Sequence, residues 1–342
     1  MRSHFRTFVL LAVAAGLVAL FLRNVDLWQV LSDIVRARPE WLALSLASMF
    51  VNLALRAGRW QSLLEPLGRT SFASAFRATA VGFAASTVLP ARAGEFIRPY
   101  FLARQNQVSA TGAFATVILE RLLDIVTVLV LLASYVFFFG RRVGETNPVA
   151  FGWLTWIGAT AGAGAFAALA VLFVLAGDPE RLGRTMERLA RVLPSALAAV
   201  IARVAEKFAR GLGAIRRPGR LVIALLWSFP LWLSIAAGIW AASVAFGLAV
   251  TFSGSFLIIA LLALGVAVPT PGAVGGFHAA FRYAATTFFG APDDAAVGAA
   301  IVLHLLSIGP ALILGLLFVA QEGLNVTGIR RLADQAEHSP TA

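Results

Sequence analysis

The residues of this chain that could do chemistry fall in four short groups, each inside or beside apolar sequence. Asn52, Arg56 and Arg59 follow one another at helical spacing. Arg92, Glu95 and Arg98 lie in Leu89-Pro90-Ala91-Arg92-Ala93-Gly94-Glu95-Phe96-Ile97-Arg98-Pro99-Tyr100, a break punctuated by prolines and a glycine. Glu120, Arg121 and Asp124 form the third group; the two carboxylates are i,i+4 on one helix face and Arg121 reaches Asp124 at i+3. Pro271, Gly272, Gly275, His278 and Arg282 form the fourth, with His278 and Arg282 again i,i+4. The chemistry these types suit is the holding of an anion. Guanidinium forks grip phosphate bidentately, and Arg92, Arg98 and Arg56 are the candidates. Helix N-termini at Gly94-Glu95 and Gly275-Gly276 add backbone N–H groups. Glu95, Glu120 and Asp124 would neutralise the arginines while the site is empty and could receive a cationic amine.

Each group also has a plainer reading. Asn52, Arg56, Arg59 and the following Trp60 read by position as an interfacial anchor, with snorkelling arginines and an aromatic belt, in preference to a phosphate contact at a cavity mouth. Glu120, Arg121 and Asp124 could be a self-neutralising network that locks helices together, although ionisable residues inside a membrane mark function by default. His278 is either a switch that titrates near neutral pH or a structural hydrogen-bond donor.

The elements that must position these groups are membrane helices. The chain of 342 residues is 59% hydrophobic and 13% charged, with mean hydropathy +0.84, and several apolar runs reach spanning length. The absence of cysteine excludes disulfides and thiolate metal sites. The formal charge of +11 is almost all arginine and belongs to loops facing anionic lipid rather than to a nucleic-acid surface.

Full crossings are expected at about 8–22, 41–57, 113–139, 151–176, 221–246 and 295–320. The first carries a basic flank and no small-residue cleavage site, so it reads as an uncleaved helix. The linker from Arg23 to Glu40, with Trp28, is expected along the outer interface. Residues 72–89 and 96–104, on either side of the first break, are each too short to cross a core of about 30 Å comfortably at ~1.5 Å per residue. A second break, Val268-Pro269-Thr270-Pro271-Gly272-Ala273-Val274-Gly275-Gly276-Phe277-His278, repeats the first: Pro90, Gly94 and Phe96 match Pro271, Gly275 and Phe277 at identical spacing. Residues 177–220 are dense in arginine with interleaved Leu and Val, and read as an amphipathic segment on the anionic inner leaflet. Pro230 and Pro310 suggest kinks.

With both breaks as re-entrant hairpins and the six runs crossing, the N-terminus, residues 56–69, the 177–220 segment and Arg330-Arg331 all fall on the cytoplasmic side. The expected fold is all-α: a polytopic membrane helix bundle with two inverted-topology re-entrant helical hairpins. Residues 1–322 form one membrane domain with inverted repeats at about 41–140 and 221–320; residues 323–342 are a polar tail. Paired breaks of this kind point to a transport site near the bilayer midplane.

Four motifs in order carry a family resemblance: Asn52…Leu55-Arg56…Arg59-Trp60…Leu63-Leu64; Pro90-Ala91-Arg92-Ala93-Gly94-Glu95…Arg98; Thr116…Glu120-Arg121…Asp124; and Pro269-Thr270-Pro271-Gly272…Gly275. Together they resemble the transmembrane region of lysylphosphatidylglycerol synthases, a flippase-like family, over about residues 8–320. The resemblance implies an integral protein of a bacterial-type plasma (inner) membrane, related to the part that moves aminoacylated phosphatidylglycerol. No soluble acyltransferase domain follows within the 342 residues, so aminoacyl-tRNA-dependent synthesis is not expected of this chain. The family's second break more often reads Gly-Gly-x-Gly-x-x-Glu; here Ala273 replaces a glycine and His278 stands where the acid would be.

The expectation is transbilayer movement of a phospholipid or other anionic or aminoacylated lipid, with no cofactor and no enzyme activity. No P-loop (GxxxxGK[ST]) occurs in the chain. The expected partners are the lipid substrate, inner-leaflet anionic lipids at 177–220, and a second copy or a separate synthase or transferase. The alternative is a membrane subunit or enzyme of lipid- or polyprenyl-linked glycosyl transfer, for which Asp26 and Asp33 are the external acidic candidates.

Overall fold

The computed structural model describes residues 26–89, 93–106, 108–177, 218–267 and 270–321. The first apolar run, Arg92, most of the basic 177–220 segment and the polar tail lie outside the described residues.

All the described elements are helical. They are α1 (Leu27–Arg36), α2 (Pro39–Leu64), α3 (Phe72–Val88), α4 (Gly94–Gln105), α5 (Ala110–Thr146), α6 (Pro148–Gly177), α7 (Pro218–Ala245), α8 (Gly254–Ala267), α9 (Gly276–Phe289) and α10 (Asp293–Gln321). Local chemistry sets their ends. The Asp26 carboxylate accepts from the N–H groups of Trp28 and Gln29 at 2.9 and 3.3 Å and starts α1. Ser71 caps α3 by accepting from Ser74 N at 3.1 Å. Pro39 occupies the first turn of α2, where its missing N–H costs nothing. The linker expected along the outer interface therefore contains a short amphipathic helix, with Val30 buried and Trp28 82% exposed. Helix α2 runs seven residues beyond the expected end near Ala57, carrying Arg59 and Trp60 with it.

Helices at 39–67, 219–245 and 293–321 are long and apolar enough to cross a membrane. The chain is a polytopic all-α membrane bundle. By contrast, α3, α4, α8 and α9 have 17, 12, 14 and 14 residues, each about 25 Å or less at 1.5 Å per residue. They pack as two pairs, α3 on α4 and α8 on α9.

The packing repeats itself between the halves. Helix α2 packs on α7. Beyond that, α3 on α10 has its counterpart in α8 on α5, α4 on α5 in α9 on α10, and α2 on α10 in α7 on α5. Exchanging α2, α3, α4 and α5 for α7, α8, α9 and α10 maps each of these contacts onto another.

Each short pair is held by glycine against glycine. A Cβ on Gly94 would overlap the carbonyl oxygen of Gly82, and one on Gly276 would overlap that of Gly265. Small residues let backbones meet at this range in lipid, where no hydrophobic force drives helices together. The second break adds a turn, Pro271–Ala273, with Gly272 at φ 58° and Gly275 at φ 87°. Ala273, at φ 58°, is a non-glycine residue in the left-handed region.

Candidate functional site

The centre of the bundle is a charged cluster supplied by α2, α4, α5 and α7. The Arg59 side chain is 1% exposed and donates through Nη1 to Asp124 Oδ1 at 2.7 Å and Ser228 Oγ at 2.8 Å, and through Nη2 to Glu120 Oε1 at 3.4 Å. Arg98 Nη1 donates to Glu120 Oε2 at 2.7 Å, and its guanidinium lies 3.8 Å from the centroid of the Trp60 ring. Trp60 in turn donates through Nε1 to Thr116 Oγ1 at 2.9 Å. Trp232 Nε1 donates to Asp124 Oδ1 at 3.0 Å. Helical spacing explains the arrangement: Glu120 and Asp124, one turn apart on α5, face Arg59 together, which fixes α2 against α5.

Arg56, one turn before Arg59, lies 3.8 Å from Asp124 Oδ2 and donates through Nε to Asn52 Oδ1 at 3.0 Å. Asn52 Nδ2 completes the row by donating to Leu231 O at 2.9 Å and Ser234 Oγ at 3.1 Å. Arg121 faces outward, 3.4 Å from Asp124 and 3.5 Å from Glu95. Among the described residues, four guanidiniums thus meet three carboxylates, one positive charge in excess. Uncompensated charge at depth is costly, so such a cluster is completed most economically by an anion.

A cavity of about 300 Å³ opens on the cluster, bounded by Arg56, Arg98, Arg121, Glu95, Ser86 and Thr270. Four buried polar atoms of the residues that line it have no hydrogen-bond partner: Nε and Nη2 of Arg98, Nε of Arg121 and Oγ1 of Thr270. Buried donors are normally satisfied, so these atoms keep unused hydrogen-bonding capacity beside the chamber. Two apolar chambers adjoin it, about 320 and 580 Å³ in volume. Trp232 and Val266 line all three spaces. The first apolar chamber, among α2, α7, α8 and α10, also shares Arg56, Phe83, Gly272 and Ala273 with the polar one. The second lies among α5, α6 and α8.

The structure brings together most of the residues singled out in the sequence: Asn52, Arg56, Arg59, Arg98, Glu120, Arg121 and Asp124 in one network, with Glu95 and Gly272 on the polar chamber wall. The anchor reading of Arg59 and Trp60 is overturned, because both are fully buried in the core rather than at an interface. Arg282 is set apart: it donates through Nε to Asp293 Oδ1 at 3.0 Å across the α9–α10 connection. Gly275 N–H is engaged by His278 Nδ1 at 3.3 Å, and Pro271 opens the turn beside the chamber. Arg92 lies outside the described residues.

Sequence reasoning missed Trp232, Ser228, Phe83 and Thr270, and it gave His304 no role. Ser228 and Trp232 flank Pro230 at i,i+4, an amphipathic face that the proline obscured. Among the described residues no group of three or more His, Cys, Asp and Glu could hold a metal.

Comparison with known proteins agrees with the resemblance read from the motifs. Residues 8–315 match the family described as the lysylphosphatidylglycerol synthase TM region. The chain is 23% identical over 119 residues to the UPF0104 membrane protein MJ1595 of Methanocaldococcus jannaschii, covering 34% of this chain and 35% of that protein. It is 27% identical over 121 residues to the glycosyltransferase AglD of Haloferax volcanii, covering 35% of this chain and 19% of that protein. The matched parts span about a third and a fifth of these relatives. A match over nine-tenths of the sequence is decisive for the family: this multi-pass membrane protein belongs to the lysylphosphatidylglycerol synthase transmembrane-region family.

Proposed function

We propose that the protein moves an amphipathic lipid with a phosphate-bearing headgroup, such as a phospholipid or an aminoacylated one, between the two leaflets. The observation that carries this reading is the junction of spaces: a cationic chamber with unpartnered Arg98 and Thr270 donors shares lining residues with two apolar chambers. A phosphate in the first and chain in the others match each part of such a lipid to a surface of its own kind. Glu95 on the chamber wall supplies a partner for a headgroup amine. The headgroup cannot cross hydrocarbon alone, since a charge at the centre costs at least several kcal/mol.

In this reading α3–α4 and α8–α9 are re-entrant hairpins that enter from opposite faces, and the exchange symmetry of their packing supports inverted repeats. Both termini are then cytoplasmic, in a bacterial-type inner membrane. The 177–220 segment rests on anionic lipid, and a second copy or a separate synthase would meet the bundle elsewhere.

Reconstitution tests the proposal. Proteoliposomes should expose an inner-leaflet anionic phospholipid to a membrane-impermeant quencher faster than empty vesicles do. Equal rates across several lipid compositions and ion gradients would refute it. A second reading is favoured by the partial identity to a glycosyltransferase: a membrane subunit of lipid-linked glycosyl transfer. Retention of a polyprenyl-linked rather than a diacyl lipid through gentle purification would support that reading.

A further inference from the structure

His278 and His304 are buried, ionisable and absent from the charged cluster. His304 Nε2 lies 2.8 Å from the carbonyl oxygen of Gly272, His304 Nδ1 lies 3.1 Å from His278 Nε2, and His278 Nδ1 lies 3.3 Å from Gly275 N. A carbonyl only accepts and a backbone N–H only donates, so the proton positions follow. Gly275 N–H donates to His278 Nδ1, His278 Nε2–H donates to His304 Nδ1, and His304 Nε2–H donates to Gly272 O. The chain is complete with both rings neutral. It begins and ends on the same turn, and it clamps that turn between α9 and α10.

One more proton cannot be added without loss. Placed on His278 Nδ1, it meets Gly275 N–H donor to donor. Placed on His304 Nδ1, it turns His278 Nε2 into an acceptor and drives the proton of His278 to Nδ1, which is the same conflict. Either way, the bond given up is the one that holds Gly275.

The turn so held carries Gly272, Ala273 and Gly275, all at positive φ, and Ala273 pays steric strain there that a glycine would not. Gly272 and Ala273 form part of the wall shared by the polar chamber and the apolar chamber that His304 lines. Phe277 stacks on the His304 ring at 4.7 Å, so the clamp is also packed. Among the described residues, the charged and titratable groups on the elements around the pair are few. Helix α8 has none; α9 adds Arg282, tied to Asp293, and Tyr283; α10 adds Asp293 and Asp294 at its start. Helix α1, packed on α10, carries Asp33, Arg36 and the cap Asp26; α3 carries Arg77 beside Phe318; α7 carries Arg220, paired with Glu65; and Arg56 of α2 faces His304 across the apolar chamber.

We infer that His278 and His304 together form a one-proton binding site, and that loading it releases the turn at 270–275 from between the two chambers. In linking that release to lipid movement, the inference rests on the transport reading above; the proton site itself does not.

The chain has no cysteine, so a single Val274→Cys on the turn reports its exposure, with Val35→Cys on α1 as reference for the pH dependence of thiolate chemistry. In proteoliposomes of the full chain, the ratio of labelling rates at the two positions should rise about threefold or more between about pH 8 and about pH 4. The double variant His278→Gln, His304→Gln places an amide oxygen toward Gly275 N–H and an amide N–H toward Gly272 O but has no ring to take the extra proton. Its ratio should stay low and flat. His278→Ala should show a high ratio at every pH. Each single glutamine variant keeps one ring and should shift the midpoint of the rise, which checks the site if the double variant fails to fold. A flat ratio in the otherwise unaltered chain, or the same rise in the double variant, would overturn the site. Loss of transport with the labelling response intact sinks only the transport reading; transport without the response sinks only the proton site.

Discussion

Arg59 and Asp124 meet at 2.7 Å between α2 and α5 with side chains 1% and 6% exposed, and Glu120 closes on the same guanidinium from the next turn of α5. One buried cation therefore holds two carboxylates, and through Glu120 it also holds Arg98 on α4. Removing it leaves charge uncompensated at the centre of the bundle. Arg59→Ala is expected to destabilise the protein by about 3–5 kcal/mol, the scale of breaking a buried ion pair from one side. Reversible unfolding in mixed micelles measures this. A loss below about 1 kcal/mol would show that the network is solvated rather than buried.

Arg98 separates structure from substrate. Arg98→Lys keeps a cation for Glu120 but loses the guanidinium contact with the Trp60 ring and the unpartnered Nε and Nη2 donors of a residue that lines the chamber. Exchange in proteoliposomes should fall about tenfold or more, since hydrogen bonds to charged groups are worth about 1.5–3 kcal/mol. Unfolding stability should drop much less than in Arg59→Ala. If stability falls as far as exchange, Arg98 is a strut and the phosphate assignment goes with it.

Much of this was legible because membrane sequence is sparse in charge. Each of Arg56, Arg59, Glu120 and Asp124 stands out in an apolar run, and their i,i+3 and i,i+4 spacing placed them on common faces. The two breaks were legible as proline and glycine in otherwise continuous hydrophobicity. What stayed hidden was register between helices. Arg59 near the end of a span looks the same in sequence whether it snorkels to an interface or turns inward, and only the two further turns of α2 decide for the interior. Arg282 erred the other way: it shares a face with His278, but Asp293 takes it after the chain reverses. His304 sits 26 residues from His278, a distance at which spacing carries no geometric information.

Glycine contacts give a prediction about the hairpins alone. Gly94→Ala drives a Cβ into the Gly82 carbonyl and Gly276→Ala drives one into that of Gly265, so each should cost about 1–3 kcal/mol through overpacking at a backbone contact. Gly164 on α6 has nothing within 4 Å of an added Cβ. Gly164→Ala should be neutral or stabilising by up to about 1 kcal/mol, as for any exposed helical glycine. Comparison of the three by unfolding in micelles checks the claim. Equal effects at all three positions would remove glycine packing as the device that shapes the hairpins.

Glu95 is the carboxylate through which binding can be tested without disturbing the core. Its ion pair with Arg121 has side chains 29% and 37% exposed at 3.5 Å, and pairs of that kind contribute about 0–1 kcal/mol. Glu95→Ala should therefore insert and fold normally. It nevertheless lines the polar chamber beside Arg56 and Arg98, where its loss makes the cluster more positive and removes a partner for a headgroup amine. Transbilayer exchange of an aminoacylated phospholipid should fall at least tenfold, and exchange of a lipid with no amine should fall less. Arg282→Ala, which removes a guanidinium paired to Asp293 away from the chamber, is expected to leave both rates near those of the unaltered chain. Near-normal exchange of the aminoacylated lipid in Glu95→Ala would take Glu95 out of the site, and a deficit in Arg282→Ala matching that of Arg98→Lys would mean that the site extends beyond the chamber described above.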